Sequence, residues 1–258
     1  MTGQVELSFP QLSAPWISEP RANIATHMGQ VDALTQALAK DIALRLTAAI
    51  EARDVAVLGV SGGKSPVALF HALRVLPIPW AQVRITLADE RCVPCTHADS
   101  NAQLVNQHLL QDHARAAQWV PMVSQTAQPL PALCELVQAA STALEASGTA
   151  DVLVLGMGSD GHTASLFSDA PNLADLLDPL STQVCAGVAL AQPPSSAPYP
   201  RITQTLAQIL SARHIALPIS GADKLHTLRQ AWLQRSKLLP VSYLLHQIHT
   251  PVSLWISP

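Results

Sequence analysis

The sequence predicts an α/β protein with a Rossmann-like, doubly wound, mainly parallel sheet and helices on both faces. Three observations carry this reading. Short apolar runs alternate with helical patterns along the whole chain. Four runs, at residues 54–60, 83–88, 152–155 and 214–219, are predominantly apolar, as strands buried on both faces of a parallel sheet are. Each is followed at once by a polar or glycine-rich cluster, and a parallel sheet brings all four clusters to one edge, where open α/β sheets hold their ligands.

Taken in order, residues 5–9 read as a short strand before a proline-containing connection. Val31, Leu34, Leu38, Ile42, Leu46 and Ile50 recur every three or four residues, which makes 27–51 an amphipathic helix. The strand at 54–60 leads into a helix from about 66 to 76, where Pro66 suits the first turn. After the strand at 83–88 come Asp89-Glu90-Arg91 and a loop to about 98. Asp99 or Ser100 can cap a helix through 110. Residues 133–146 form another helix, ending before Gly148. The strand at 152–155 runs into Gly156, Gly158 and Gly161, and 163–167 is expected to open a helix. Residues 192–200 contain four prolines and read as a surface loop over the site. Arg201-Ile-Thr precedes an apolar stretch to 210. A last long helix runs from 224 to about 233, and 251–256 is a closing strand. No internal repeat or low-complexity tract interrupts the pattern, so one domain over 1–258 is expected.

A chain of 258 residues with 48% hydrophobic content has ample material for a core. Only 13% of residues are charged, and the net charge is −3. That balance gives no electrostatic case for nucleic acid or an anionic membrane as partner. A bound phosphate would have to draw its positive charge from a few placed groups. No segment approaches the ~20 apolar residues that span a bilayer. The start of the chain lacks the basic stretch and apolar core of a secretory signal, so a cytoplasmic protein is expected. The four cysteines do not form a disulfide framework in a chain this long. Cys92 and Cys95 have C-x-x-C spacing near His97, but neither Cys134 nor Cys185 supplies a second pair; no metal site is expected.

The richest chemistry lies at Gly156-Met-Gly-Ser-Asp-Gly-His-Thr-Ala-Ser-Leu-Phe167. The glycines allow a tight turn and close backbone approach to a ligand. His162 just beyond a strand end can act as a general base near neutral pH, with Asp160 helping to hold its loop. A glycine turn carrying a surface histidine would read the same. Ser61-Gly62-Gly63-Lys64-Ser65 resembles a phosphate cradle, with exposed backbone N–H groups and a helix N-terminus behind them. It lacks the spacing of a nucleotide-binding P-loop, and a tight strand-to-helix turn is the alternative. Lys224, after Ser220-Gly221, offers a point charge for the same phosphate. A cation at a helix start is otherwise unfavourable. Arg91 can bind phosphate or stabilise an oxyanion. Asp89 can bind sugar hydroxyls or orient another group. A surface ion pair would explain the same cluster.

Together these strings resemble the 6-phosphogluconolactonases. The matching segments are Ser61-Gly-Gly-Lys-Ser-Pro66, Asp89-Glu-Arg-Cys-Val-Pro94 with Ser100-Asn101, the His162 block, Arg201-Ile-Thr203 and Ser220-Gly-Ala-Asp-Lys224. They occur in family order from about residue 20 to the C-terminus. Lys64 and Ser65 replace the Ser-Thr more usual in the first loop, and Ser168 and Tyr199 stand near places where the family often has Pro and His.

The resemblance implies hydrolysis of 6-phospho-D-glucono-1,5-lactone to 6-phosphogluconate in the oxidative pentose phosphate pathway, with no required cofactor. It implies His162 as base, Arg91 or backbone N–H groups at the oxyanion, and Ser61 to Ser65, Arg201 and Lys224 as substrate and phosphate ligands. The partner is a small sugar-phosphate lactone, and the protein is a monomer or small homo-oligomer. Two other readings stand beside it. Glucosamine-6-phosphate deaminases usually continue the His loop as Asp-Gly-His-Ile-Ala-Phe-Asn-Glu, whereas Phe167 takes the place of that Glu here. A non-catalytic sugar-phosphate sensor would have no need of His162, and the roughly 20 residues before the first helix are too few for a helix-turn-helix domain.

Overall fold

Valine, isoleucine and leucine dominate the strands because branched side chains pack well on a pleated surface. The computed structural model describes residues 21–193 and 198–258. Its strands are β1 (Ile24–Met28), β2 (Ala56–Val60), β3 (Val83–Leu87), β4 (Asp89–Arg91), β5 (Gln118–Trp119), β6 (Val152–Val154), β7 (Cys185–Val188), β8 (Arg201–Gln204), β9 (Ile215–Ser220) and β10 (Val252–Ser257). Its α-helices are α1 (Val31–Arg53), α2 (Val67–Arg74), α3 (Asn101–His108), α4 (Leu133–Ser147), α5 (Leu173–Leu176), α6 (Leu206–Leu210), α7 (Ala222–Leu233) and α8 (Ser242–Leu245). Seven strands form one sheet in the order β1-β10-β9-β6-β2-β3-β5, with every pairing parallel. A second, three-stranded antiparallel sheet has the order β4-β8-β7.

That order has a switch point. From β2 the chain builds outward through β3 and β5, then returns to place β6 on the other side of β2 and continues through β9 and β10. Connections therefore leave β2 and β6 in opposite directions, which opens a crevice beyond their carboxyl ends. Two hydrogen bonds tie the loops there: Ser61 N–H donates to the Val154 carbonyl at 3.0 Å, and Gly156 N–H to Ser61 Oγ at 3.3 Å.

Strand periodicity divides the core in two. On β2, Val57 packs into one cluster and Leu58 into the other; Leu153 and Val154 on β6 part in the same way. Helices α1 to α4 cover the Leu58 side and α5 to α8 the Val57 side. On α1 the expected apolar face is buried from Leu34 to Ile50, while Val31 at its first turn is exposed.

His214, just before β9, is buried polar, with Nε2 2.8 Å from Ser253 Oγ. Burial, reinforced by the charge of Arg45, pushes its pKa down to about 4. The native state thus binds fewer protons than the unfolded chain between about 6.5 and about 4. Stability present above about 6.5 is expected to drain away as pH falls through that window, by up to about 3 kcal/mol. Urea unfolding of wild type and His214→Gln across pH 4–7 checks this; parallel curves would refute it.

Several local expectations need correction. Residues 163–167 do not open a helix. Thr163 and Leu166 form an isolated antiparallel bridge, and Ala164 takes a left-handed φ of 47°. The Thr163 hydroxyl donates to the Gly156 carbonyl, and Ser165 N–H to Thr203 Oγ1, so tertiary hydrogen bonds override local propensity. The first helix starts at Val31, not 27, because residues 24–28 form an edge strand. Asp89–Arg91 and Arg201–Gln204, to which the sequence pattern assigns no element, are paired strands of the second sheet. The strand read at 5–9 lies outside the described residues, as does the centre of the proline-rich loop. Ser100 is the N-cap of α3, its side chain accepting from Gln103 N–H.

Candidate active site

Beyond the ends of β2 and β6 lies a cavity of about 260 Å³. Its wall includes Ser61, Gly62, Gly63 and Ser65 after β2, Asp89 and Arg91 on β4, Gly156 to Gly158 and His162 after β6, and Lys224 on α7. Eight of the expected site residues therefore meet in one space. A larger groove of about 930 Å³ beside α4, α5 and β7 contains none of them.

The turn after β6 is built to aim an imidazole. Gly158 N–H donates to the His162 carbonyl at 2.9 Å, and Gly161 N–H to the Gly158 carbonyl at 3.0 Å. Inside this turn His162 Nδ1 donates to Asp160 Oδ1 at 2.6 Å, and the same oxygen accepts from His162 N–H at 3.2 Å. The pairing assigns the proton to Nδ1 and leaves Nε2 with its lone pair. A Cβ at Gly158 would overlap both Asp160 Oδ1 and His162 Nδ1, so only glycine lets the pair close over the backbone. The hydrogen bond from His162 holds the Asp160 carboxyl below the usual carboxylate range, against the opposite pull of burial. Thr227 of α7 and Val241 beside α8 anchor the turn from outside, through the Ser159 and Gly161 carbonyls.

The three charges on β4 have three fates. Asp89 is buried and faces the cavity, its Oδ2 accepting from the Ser165 hydroxyl at 2.6 Å. Glu90 is fully buried and accepts four hydrogen bonds: from the N–H groups of Arg91, Asn101 and Ala102 and from the Ser100 hydroxyl, at 2.7–2.9 Å. It is the second cap of α3, a carboxylate at the positive end of a helix. Burial pushes its pKa up, and those four bonds oppose the shift. Arg91 lines the cavity, tethered through Nη1 to the Asp99 carbonyl and Asn101 Oδ1 at 2.7 and 2.8 Å.

Asn101 was quoted in the matching strings but not among the expected site residues, yet it too lines the cavity. Its Nδ2 donates to the Asp89 carbonyl, and a Cβ on Gly62 would overlap its amide. Asn101 thus fixes how closely the glycine loop approaches β4. Among the described residues, no backbone N–H from Gly62 to Ser65 has a protein acceptor. These N–H groups and Lys224 are suited to an anion.

Three expected residues lie off the cavity wall. Lys64 is exposed. Asp160 is bonded to His162, which does line the cavity. Arg201 is 5% exposed, and its guanidinium carbon lies 4.9 Å from the centroid of the Phe167 ring. In the Cys92, Cys95 and His97 loop, burial and then the Glu90 charge push the Cys92 thiol up to about 12, which opposes the thiolate a metal would need. Among the described residues, no three His, Cys, Asp or Glu side chains gather as a metal-binding group.

A family model described as glucosamine-6-phosphate isomerases/6-phosphogluconolactonase matches residues 29–253. The chain belongs to this family. Within it, the chain is 47% identical over 192 residues to a 6-phosphogluconolactonase of Mesorhizobium japonicum, covering 74% of this chain and 77% of that protein. It is 42% identical to one from Neisseria meningitidis serogroup A over 212 residues, covering 82% and 89%. A crystal structure of a 6-phosphogluconolactonase from Shewanella baltica superposes with a TM-score of 0.83 at 35% identity, covering 92% of this chain and 99% of that one. The doubly wound sheet is thus the architecture of this isomerase/lactonase family, and four of the five strings that suggested membership contribute residues to the cavity wall, Arg201-Ile-Thr203 being the exception.

Proposed function

We propose that this chain is a 6-phosphogluconolactonase, hydrolysing 6-phospho-D-glucono-1,5-lactone to 6-phosphogluconate. The observation that supports the mechanism is the Nδ1–Asp160 bond, which suits Nε2 to accept a proton. In this reading Nε2 takes a proton from water as its oxygen attacks the lactone carbonyl. Arg91 and backbone N–H groups steady the tetrahedral oxyanion. The intermediate collapses, the ring C–O bond breaks, and protonated His162 returns its proton to the departing ring oxygen. Asp89 accepts from sugar hydroxyls. The 6-phosphate lies on the Gly62 to Ser65 N–H groups and Lys224, which fixes the carbonyl against the base.

No step in this scheme calls on a metal or an organic cofactor. The reading extends to a single domain over 1–258 acting in the cytoplasm on a small molecule. No helix among the described residues is long and apolar enough to cross a membrane. Phe167 weighs against amino-sugar deamination, because it stands where the deaminase string has a carboxylate partner for the His.

The test is acid release from freshly generated lactone, measured against the spontaneous rate after exhaustive chelation. Acceleration by the chelated protein is expected; its absence, with restoration by one metal, would overturn the metal-free scheme. In the same assay Lys224→Ala should raise KM by about 10-fold or more, the loss of one charge-assisted phosphate contact. Unphosphorylated gluconolactone should be little affected. Equal losses on both substrates would remove Lys224 from the phosphate.

A further inference from the structure

Phe167 is 7% exposed and does not line the cavity, yet it touches the residue on which the chemistry turns. Its ring centroid is 4.4 Å from that of His162, with the planes tilted by 36°. Arg201 lies 4.9 Å from the same centroid. The Phe167 ring is therefore packed against both an imidazole and a permanent cation. The scheme above gives neither Phe167 nor Arg201 a part.

One hydrogen bond holds an imidazole at one point only. The ring can still swing about the Nδ1···Oδ1 line, which sweeps Nε2 across the cavity. A flat apolar surface against the ring removes that freedom, provided the surface is itself fixed. Burial and Arg201 fix it. An aromatic face also carries negative potential, which favours the imidazolium that forms when His162 takes its proton.

We propose that Phe167 is the positioning residue of the base: its ring, backed by Arg201, sets the plane of His162 and stabilises its protonated form. This rests on His162 being the base. Other charges face the imidazole as well: Asp160 on its own turn, Asp89 and Arg91 from β4, and Lys224 from α7 across the cavity. They are the same in a Phe167 variant, so a difference in pH behaviour reports on the ring.

The experiment compares wild type, Phe167→Leu, Phe167→Tyr, His162→Ala and the double variant Phe167→Leu/His162→Ala. Leucine keeps apolar bulk but loses the face. It should lower kcat by about 10-fold, as loss of alignment does, with KM nearly unchanged. The acid limb of kcat/KM should move down by about half a pH unit, the size of one modest cation–π contact. Tyrosine, which keeps the face, should restore both. In the His162→Ala background, Phe167→Leu should cost nothing more, because the two act as one unit.

If His162→Ala is inactive while Phe167→Leu matches wild type in kcat and acid limb, the positioning role is wrong and the base stands. If His162→Ala keeps near-wild-type turnover, the base reading itself fails. Should Phe167→Leu not fold, the wild-type protein still decides. Its His162 ring protons, identified by their loss in His162→Ala, should be shifted upfield by the Phe167 ring current. Ordinary histidine positions would overturn the contact.

Discussion

Replacing His162 by alanine is expected to slow turnover by about 10²–10⁴-fold, the usual span for an acid–base group. Affinity for 6-phosphogluconate should change far less, because the proposed phosphate ligands and β4 remain. His162→Gln should be nearly as slow, since an amide bonds Asp160 without exchanging a proton. The two variants are informative as a pair. The His162–Asp160 contact is held within one turn, by the same carboxylate oxygen that receives the His162 backbone N–H. Loss of the ring should therefore leave the glycine loop and Lys224 where they are. Turnover and product binding, measured on both variants, check this. Near-wild-type turnover in either would move the base to Asp89, the other cavity carboxylate. Glu90 is not a candidate, because its oxygens accept from four protein donors and it does not line the cavity.

Glu90 instead gives the largest expected effect on stability. Glu90→Ala strands three backbone N–H groups and a hydroxyl in a site with no exposed surface. Each buried unsatisfied donor costs about 1–3 kcal/mol, part of it recovered by relaxation, so a loss of about 3–5 kcal/mol is expected. For a chain of this size that lowers Tm by about 6–20 °C. Glu90→Gln should lose less, keeping one accepting oxygen and the side-chain volume. Thermal unfolding of the two variants beside wild type tests the ranking. An unchanged Tm in Glu90→Ala would show that the cap is dispensable.

The parallel sheet and the edge that carries the site were legible because a strand buried on both faces is mostly apolar, and 54–60, 83–88, 152–155 and 214–219 are. Two of the missed strands are under weaker constraint. Residues 24–28 form an edge strand with one fully buried residue, and Cys185-Ala-Gly-Val188 is too short to show a period. Ser61, His162 and Lys224 could be placed because each lies within eight residues of the end of the strand before it.

Glu90 and Asn101 could not be assigned in this way. Their partners lie ten to twelve residues along the chain, across a loop whose path no local pattern fixes. The helix expected at 163–167 failed for a related reason. Thr163 and Ser165 have hydrogen-bond partners on the preceding loop and on β8, and no propensity scale contains those partners.

The two bonds between the Ser61 loop and the ends of β6 have a consequence in time. They join the Ser61 turn to the root of the His162 turn through neighbouring strands of one sheet. The donors and the imidazole then fluctuate together on the fast, small scale of a sheet, not as two bodies that must find each other. A ligand meets them already at their working separation. Its capture is expected to need no slow closure between these two loops, leaving turnover to be set by the breaking of the lactone bond or the departure of the acid.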